Sequence, residues 1–276
     1  MNAQQAVSLH DAAERLGVHY MTVYRYVRLG LLPARKEGGT WRVDRADLDA
    51  FRQPCDAPVE RDAPWAERLE ARMIAGDVGG SWSVVEAALA SGSDPQSIYL
   101  DVLAPALASI GDRWASGEIG IADEHLASAV ASRIIGRLGP RFSRRGRPRG
   151  TVITAMPSGD RHGFGLAMLA DVLRGAGFSV LDLGPDTPTA SLLTAMERAE
   201  RLLAVCVSVV LDDAVPTAAE TVRAVRQAFP DVLLLLGGRA VADADHARSL
   251  GADDWASDPA VAVDLIGRLG ASRRTA

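Results

Sequence analysis

"TVITAMPSGDRHGFGLAML", residues 151–169, passes from an apolar run through a Pro/Ser/Gly loop into a helix-like stretch. That is the signature of a strand-to-helix turn, and the residues downstream repeat it. Apolar runs at 178–183 (FSVLDL), 202–210 (LLAVCVSVV) and 232–238 (VLLLLGG) alternate with helical patterns at 164–176, 189–200, 215–228 and 240–250. A short run, "DDWAS" at 253–257, and a helix at 259–269 close the series. Continuous apolar strands between helices predict a parallel sheet covered on both faces. Five strands within residues 151–270 suit a flavodoxin-like, Rossmann-like order, whose ligand site lies beyond the C-terminal ends of the strands.

His162 falls at that edge, in the loop after the first strand, with Asp160 before it and Gly165 after, a D-x-H-x-x-G pattern. An exposed imidazole can ligate a metal through one ring nitrogen while a carboxylate on the other fixes its tautomer. Glycine at 165 lets a large ligand approach the backbone. The plain alternative is a surface histidine bonded to a neighbouring aspartate. Two further features share the edge: Ser208 near the end of the third run, and Gly237-Gly238 at the end of the fourth. A hydroxyl and two positions without side chains there can line a slot for an extended ligand tail.

Upstream, residues 64–138 are helical in pattern, at 64–76, 81–91, 95–116 and 121–138, with short Gly-containing breaks. Four helices with short connections predict an antiparallel bundle, here a segment 64–140. "RFSRRGRPRG" at 141–150 is an Arg-rich connector, expected to be solvated, with DNA contact as the other reading. "PCDAPVERDA" at 54–63 is a linker, and 271–276 a tail.

Residues 1–53 read as a winged helix-turn-helix. "SLHDAAERLG" starts at Ser8, an N-cap, and stops at Gly17; "HYMTVYRYVRLG" ends at Gly30. A strand, the Gly38-Gly39 turn, a second strand and a helix capped by Asp44 follow. Helix 19–29 is the expected recognition helix, with Val23 and Val27 facing the core. His19, Tyr20, Thr22, Arg25 and Arg28, with Lys36 and Arg42 of the wing, are then the expected DNA-binding residues. The whole chain carries a net charge of −5, so only this local basic cluster argues for phosphate neutralisation. A helical interaction module with a solvated Arg face is the alternative.

Composition narrows the class. With 48% hydrophobic and 24% charged residues the chain is globular rather than disordered. Cys55 and Cys206 stand far apart, so neither a disulfide framework nor a Cys metal site follows, and a cytoplasmic setting is expected. No apolar stretch is long enough to span a membrane, and no signal peptide precedes the first domain.

Asp160-x-His162-x-x-Gly165, then Ser208, then Gly237-Gly238, resembles the cobalamin-binding domain of methionine synthase and its relatives, although Ser208-Val209-Val210 stands where the family usually has Ser-x-Leu. The resemblance implies cobalamin as cofactor, with His162 as the lower cobalt ligand and the nucleotide tail in the slot beside Ser208 and the glycines. In "WASGEIGIADEH", Trp114, nine intervening residues, Glu124 and His125 form a W-x9-E-H pattern similar to that of the B12-dependent photoreceptor repressors, where it caps the adenosyl group. An indole offers a flat surface to adenine or the corrin edge, and a carboxylate accepts from ribose hydroxyls. A core Trp and a helix-first-turn acid are the structural alternative. The N-terminal segment looks closer to excisionase-type helix-turn-helix domains than to the MerR type.

These resemblances imply a cobalamin-dependent transcriptional regulator and not an enzyme. It would bind adenosylcobalamin and a double-stranded DNA operator, as a homo-oligomer with no membrane contact, and respond to light or to cobalamin level. In light-sensing relatives the residue after the capping Trp is a cobalt-ligating His; here it is Ala115. Two other readings are a corrinoid methyl-carrier protein of a methyltransferase system and a DNA-binding protein whose cobalamin domain is empty.

Overall fold

The protein is described by a computed structural model covering residues 6–16, 23, 27, 32–37, 40–52 and 64–272. The chain divides into two units, Met1–Ala63 and Pro64–Ala276.

In the first unit, β1 (Ala6–Ser8) leads into α1 (Leu9–Leu16), and β2 (Arg35–Glu37), β3 (Thr40–Asp44) and α2 (Arg45–Arg52) follow. Ser8 is the N-cap expected: its Oγ accepts from the Asp11 amide at 3.2 Å, and Asp11 Oδ2 accepts from the Ser8 amide at 3.2 Å, a reciprocal capping box. β2 and β3 form the expected antiparallel hairpin. β1 is an addition, pairing with β3 so that the sheet order is β1-β3-β2. Val23 and Val27 are buried with Leu9, Ala12, Leu32, Val43 and Leu48, which is the i, i+4 face expected of them. The rest of helix 19–29 and the Gly38-Gly39 turn lie outside the described residues.

The second unit opens with helices. These are α3 (Trp65–Ile74), α4 (Val78–Ala90), α5 (Pro95–Ser97), α6 (Ala104–Ala115) and α7 (Ile121–Leu138). α5 and α6 are one continuous helix interrupted by a π-helical stretch, Ile98–Leu103. Ile98, Tyr99, Val102 and Leu103 are all buried there, and the π-helical turn is a departure from the unbroken helix expected over 95–116. α4 begins earlier than expected because Asp77 caps it, accepting from the Gly80 amide at 2.8 Å.

A doubly wound sheet follows. Its elements are β4 (Thr151–Ala155), α8 (Phe164–Gly175), β5 (Ser179–Asp182), α9 (Thr189–Arg198), β6 (Leu202–Ser208), α10 (Val215–Ala228), β7 (Leu233–Gly237), α11 (Ala244–Ser249), β8 (Asp254–Ala256) and α12 (Pro259–Ser272). All five strands are parallel, in the order β5-β4-β6-β7-β8. Alternate residues feed two cores. Ile153, Val205, Val207, Leu234 and Leu236 face α9, α10 and α11, while Val152, Ala204, Cys206, Leu233 and Leu235 face α8 and α12. α11 is shorter than the 240–250 expected: the amides of Ala240 and Val241 bond Val209 and Gly238 carbonyls, and Asp243 caps the helix only from there.

The bundle and the sheet share a core. Met168 and Val172 of α8 and Phe142 pack among bundle residues such as Leu69, Met73 and Val130. Tyr99, fully buried, donates its hydroxyl to Asp171 Oδ2 at 2.8 Å and stacks on Phe142 with ring centres 5.0 Å apart. Arg174 completes the carboxylate from the other side at 2.9 Å. Burial, together with the bond to Asp171, pushes the Tyr99 phenol well above its ordinary range. Among the described residues no helix is long and apolar enough to cross a membrane.

Candidate functional site

The loop after β4 is tied down at several points, and Asp160 is the first. Its side chain is 0% exposed. Oδ2 accepts from the amides of Val210 at 2.6 Å and Leu211 at 3.2 Å, just past the end of β6. Oδ1 lies 3.1 Å from His162 Nδ1 and also accepts from the His162 amide at 3.3 Å. A buried carboxylate thus has both oxygens occupied, and one of its bonds orients an imidazole. The His162 side chain is itself 55% exposed, so the ring is held by one nitrogen and presents the other outward.

The loop is clamped from its other side by Asp186, a residue that no local pattern singles out. Asp186 holds φ +55°, accepts from the Gly159 amide at 2.9 Å and pairs with Arg161 at 3.2 Å, while its own amide donates to the Asp160 carbonyl at 2.9 Å. The Gly159 bond, assisted by Arg161, keeps its carboxyl below the usual carboxylate range. A non-glycine residue in this left-handed conformation persists only where its surroundings over-determine it.

A slot of about 250 Å³ opens beside this loop. Gly165, Leu166, Ser208, Gly237 and Gly238 line it, so the glycines and the serine of the motif share one cavity, while Asp160 and His162 lie outside its lining. The glycines do different jobs. A Cβ at Gly165 would meet nothing within 4 Å, so it would project into open space that a ligand can use. At Gly238, φ is +90° and a Cβ would collide with the Val209 carbonyl, so this glycine is required by the turn and not by the slot. The far wall, Arg239 with Ser257, Asp258 and Pro259, escaped sequence reading because it comes from the ends of β7 and β8. Cys206 lies at the base, its thiol pushed up to about 12 by burial.

The remaining residues expected at the site lie on the bundle. Trp114 ends α6 and is 49% exposed, against the core-Trp alternative. Arg113 fixes that end of the helix by pairing with Glu70 of α3 at 2.6 Å and with Glu118 at 2.8 Å. Glu124 and His125 sit in the first turn of α7, which Asp123 caps by accepting from the Gly120 amide at 2.9 Å. Glu124 accepts from Ser128 at 2.6 Å and touches His125 Nδ1 at 2.7 Å. Burial works against its charge, but Ser128, His125 and the nearby His162 outweigh it and hold the carboxyl below the usual range. His125 and Ala115 are exposed.

Of the expected DNA-contacting residues, His19, Tyr20, Thr22, Arg25 and Arg28 lie outside the described residues. Lys36 and Arg42 are on adjacent strands of the hairpin. Arg42 is directly opposite Arg35, and Lys36 opposite Trp41, so the two fall on different faces of the ribbon.

Three segments match known families. Residues 7–55 match a helix-turn-helix domain, residues 65–138 a B12 binding domain, and residues 150–264 a second family also described as a B12 binding domain. The chain is 33% identical over 184 residues to the HTH-type transcriptional repressor CarH of Myxococcus xanthus, a stretch covering 66% of this chain and 60% of that protein. To the HTH-type transcriptional repressor CarA of the same organism it is 30% identical over 190 residues, 58% of this chain and 61% of that one. It therefore spans about three-fifths of the length of these repressors. Among solved structures, the monomethylamine corrinoid protein of Methanosarcina barkeri superposes with a TM-score of 0.65 at 21% identity, covering 73% of this chain and 96% of that one, a likeness of fold.

Proposed function

We propose that this chain, which carries a helix-turn-helix domain followed by two B12-binding domains, is a cobalamin-dependent transcriptional regulator. The observation that carries the cofactor half is the His162–Asp160 pair beside a slot of about 250 Å³ at the C-terminal edge of a parallel sheet. The residues fit the group: an outward imidazole nitrogen for cobalt, and a narrow, mostly apolar slot for a nucleotide tail. When bound, the cofactor supplies a metal whose upper group can be gained or lost. What the chain itself does is bind and orient. His162 is the lower ligand, and Asp160 fixes its tautomer and ring plane. Gly165 admits the ligand to the backbone, and Ser208 with Gly237 and Gly238 borders the tail. Trp114, Glu124 and His125 cover the upper side, and the breadth of the exposed indole favours the adenosyl form.

The DNA half rests on the helix-turn-helix domain, with helix 19–29 in the major groove of a double-stranded operator. Arg25 is the residue assigned to base or phosphate, with His19, Tyr20, Thr22, Arg28, Lys36 and Arg42 around it. Coupling between the halves needs only that the loaded and empty forms differ in oligomeric state, so that DNA affinity follows the cofactor. No reaction is assigned to the chain.

The test is the absorbance spectrum of protein loaded in the dark with adenosylcobalamin, before and after illumination, alongside operator titration. His162→Ala should abolish the nitrogen hyperfine splitting seen in the Co(II) EPR spectrum with isotope-labelled histidine. Identical labelled and unlabelled wild-type spectra would remove His162 from the metal. A carrier role, suggested by the corrinoid-protein fold, predicts methyl rather than adenosyl cobalamin on protein purified from cells and no DNA affinity.

A further inference from the structure

The Arg-rich connector is not a slack tether. Arg201, at φ +53°, donates to the Pro148 and Arg149 carbonyls, each at 3.1 Å, and the Arg149 amide donates to Gly177 at 2.9 Å. The Arg149 guanidinium lies 4.4 Å from the centre of the Phe178 ring. These bonds fix residues 148–150 against the N-terminal edge of the sheet, the edge opposite His162. Arg149 and Arg201 are thus spent on holding the backbone.

Arg144, Arg145 and Arg147 are all exposed and hold nothing comparable. With Arg149 and Arg174 they line a hollow of about 250 Å³, and Arg144 and Arg149 both pass within 4 Å of the space above Gly177. Arg147 also borders a second hollow that reaches Arg198 and Arg201. Among the described residues, no carboxylate comes within ion-pair distance of Arg141, Arg144, Arg145, Arg147, Arg198 or Arg201. Glu200 is the one acid lining either hollow. The chain carries a net charge of −5, so its acids are plentiful and are placed elsewhere. A concave cluster whose exposed members Arg144, Arg145 and Arg147 have no carboxylate within ion-pair distance is complementary to a run of phosphates, whose oxygens Arg meets in bidentate geometry.

We propose that Arg144, Arg145 and Arg147 form a second, sequence-independent DNA contact that grips backbone phosphates beside the site read by the helix-turn-helix domain. This rests on the DNA-binding reading above and adds a surface to it. Such contacts position and strengthen binding without reading bases. They place a salt-dependent grip on the unit that carries the cofactor site.

The experiment is a fluorescence-anisotropy titration of the full chain on a mixed-sequence DNA duplex across a salt series. The Arg144→Gln, Arg145→Gln, Arg147→Gln triple variant should flatten the log K against log salt slope by about 0.9 per lost contact, with affinity down about 10–100-fold. Removing charge elsewhere, with Arg223→Gln and Arg248→Gln on α10 and α11, should leave the slope unchanged. The single Arg145→Glu reversal serves if the triple variant melts early. A slope unchanged in the triple or reversal variant while wild type binds overturns this surface and leaves the helix-turn-helix reading standing. Wild-type chain that binds no duplex at any salt removes both. A variant that alters oligomer mass but not the slope assigns the patch to a second copy and overturns the proposal.

Discussion

The two sides of the candidate site are built on opposite plans. On the sheet side, Asp160 is fully buried with both oxygens bonded, and the loop carrying His162 is clamped again by Asp186. On the bundle, Trp114 is left half exposed, and the hydrogen bonds to Glu124 come from its own helix. One side is organised before any ligand arrives. The other leaves a half-exposed indole, and on the proposed reading a ligand buries it, at roughly 25 cal/mol per Å² of apolar surface. On the proposed reading, affinity and geometry belong to the sheet, and discrimination between upper groups to the bundle.

That division can be broken first at the join. Tyr99→Ala removes a fully buried ring and should cost about 3–5 kcal/mol of stability. Calorimetry should show one lowered transition for the second unit; a separate, unshifted sheet transition would mean that the two sides are independent bodies. Asp160→Ala should come next, leaving the Val210 and Leu211 amides without acceptors at a cost of about 1–3 kcal/mol. It should also weaken cobalamin uptake by about 10–100-fold, as loss of a ligand-orienting partner does. Full affinity in an equilibrium titration would show that His162 needs no orienting. Gly238→Ala forces a side chain into a left-handed turn against Val209 and should cost about 1–3 kcal/mol, read as a lower melting temperature. Trp114→Ala should change stability by no more than about 0.5 kcal/mol, because the indole is half exposed. Its effect should appear instead as lost preference for adenosylcobalamin over cobalamins with small upper groups. Smallest in stability is Ala115→His on an exposed helix end, where the expected change is a longer-lived spectrum after illumination.

Legibility followed the range of the interactions. The inner strands β4, β6 and β7 announced themselves because they are buried on both faces, so the apolar run is continuous, as in Leu233–Leu236. The D-x-H-x-x-G loop was legible because its decisive contacts span two residues. Ser8 was legible for the same reason, its capping partner being three residues away. Tyr99 and Asp171 are 72 residues apart, and neither is unusual in its own neighbourhood. β1 is three residues long and exists only through pairing with β3. Gly238 lines the slot as its place at the strand end suggested, but backbone crowding by Val209, which excludes a side chain there, was not legible. The slot's far wall at Ser257–Pro259 is made by a strand neighbour, and no spacing rule within one segment reports on strand neighbours.

The Tyr99–Asp171 bond has a mechanical consequence. It pins the continuous helix of α5, the π-helical stretch and α6 near one end, while Trp114 sits at the other. At about 1.5 Å of rise per residue, the indole rides on a lever arm of about 20 Å, so a tilt of about 5° at the pin displaces it by about 2 Å. Arg113 ties that far end to Glu70 of α3, so such a tilt carries α3 with it or breaks the pair. The same leverage runs backwards: whatever occupies the tip applies its torque at the fulcrum, where bundle and sheet are fastened together.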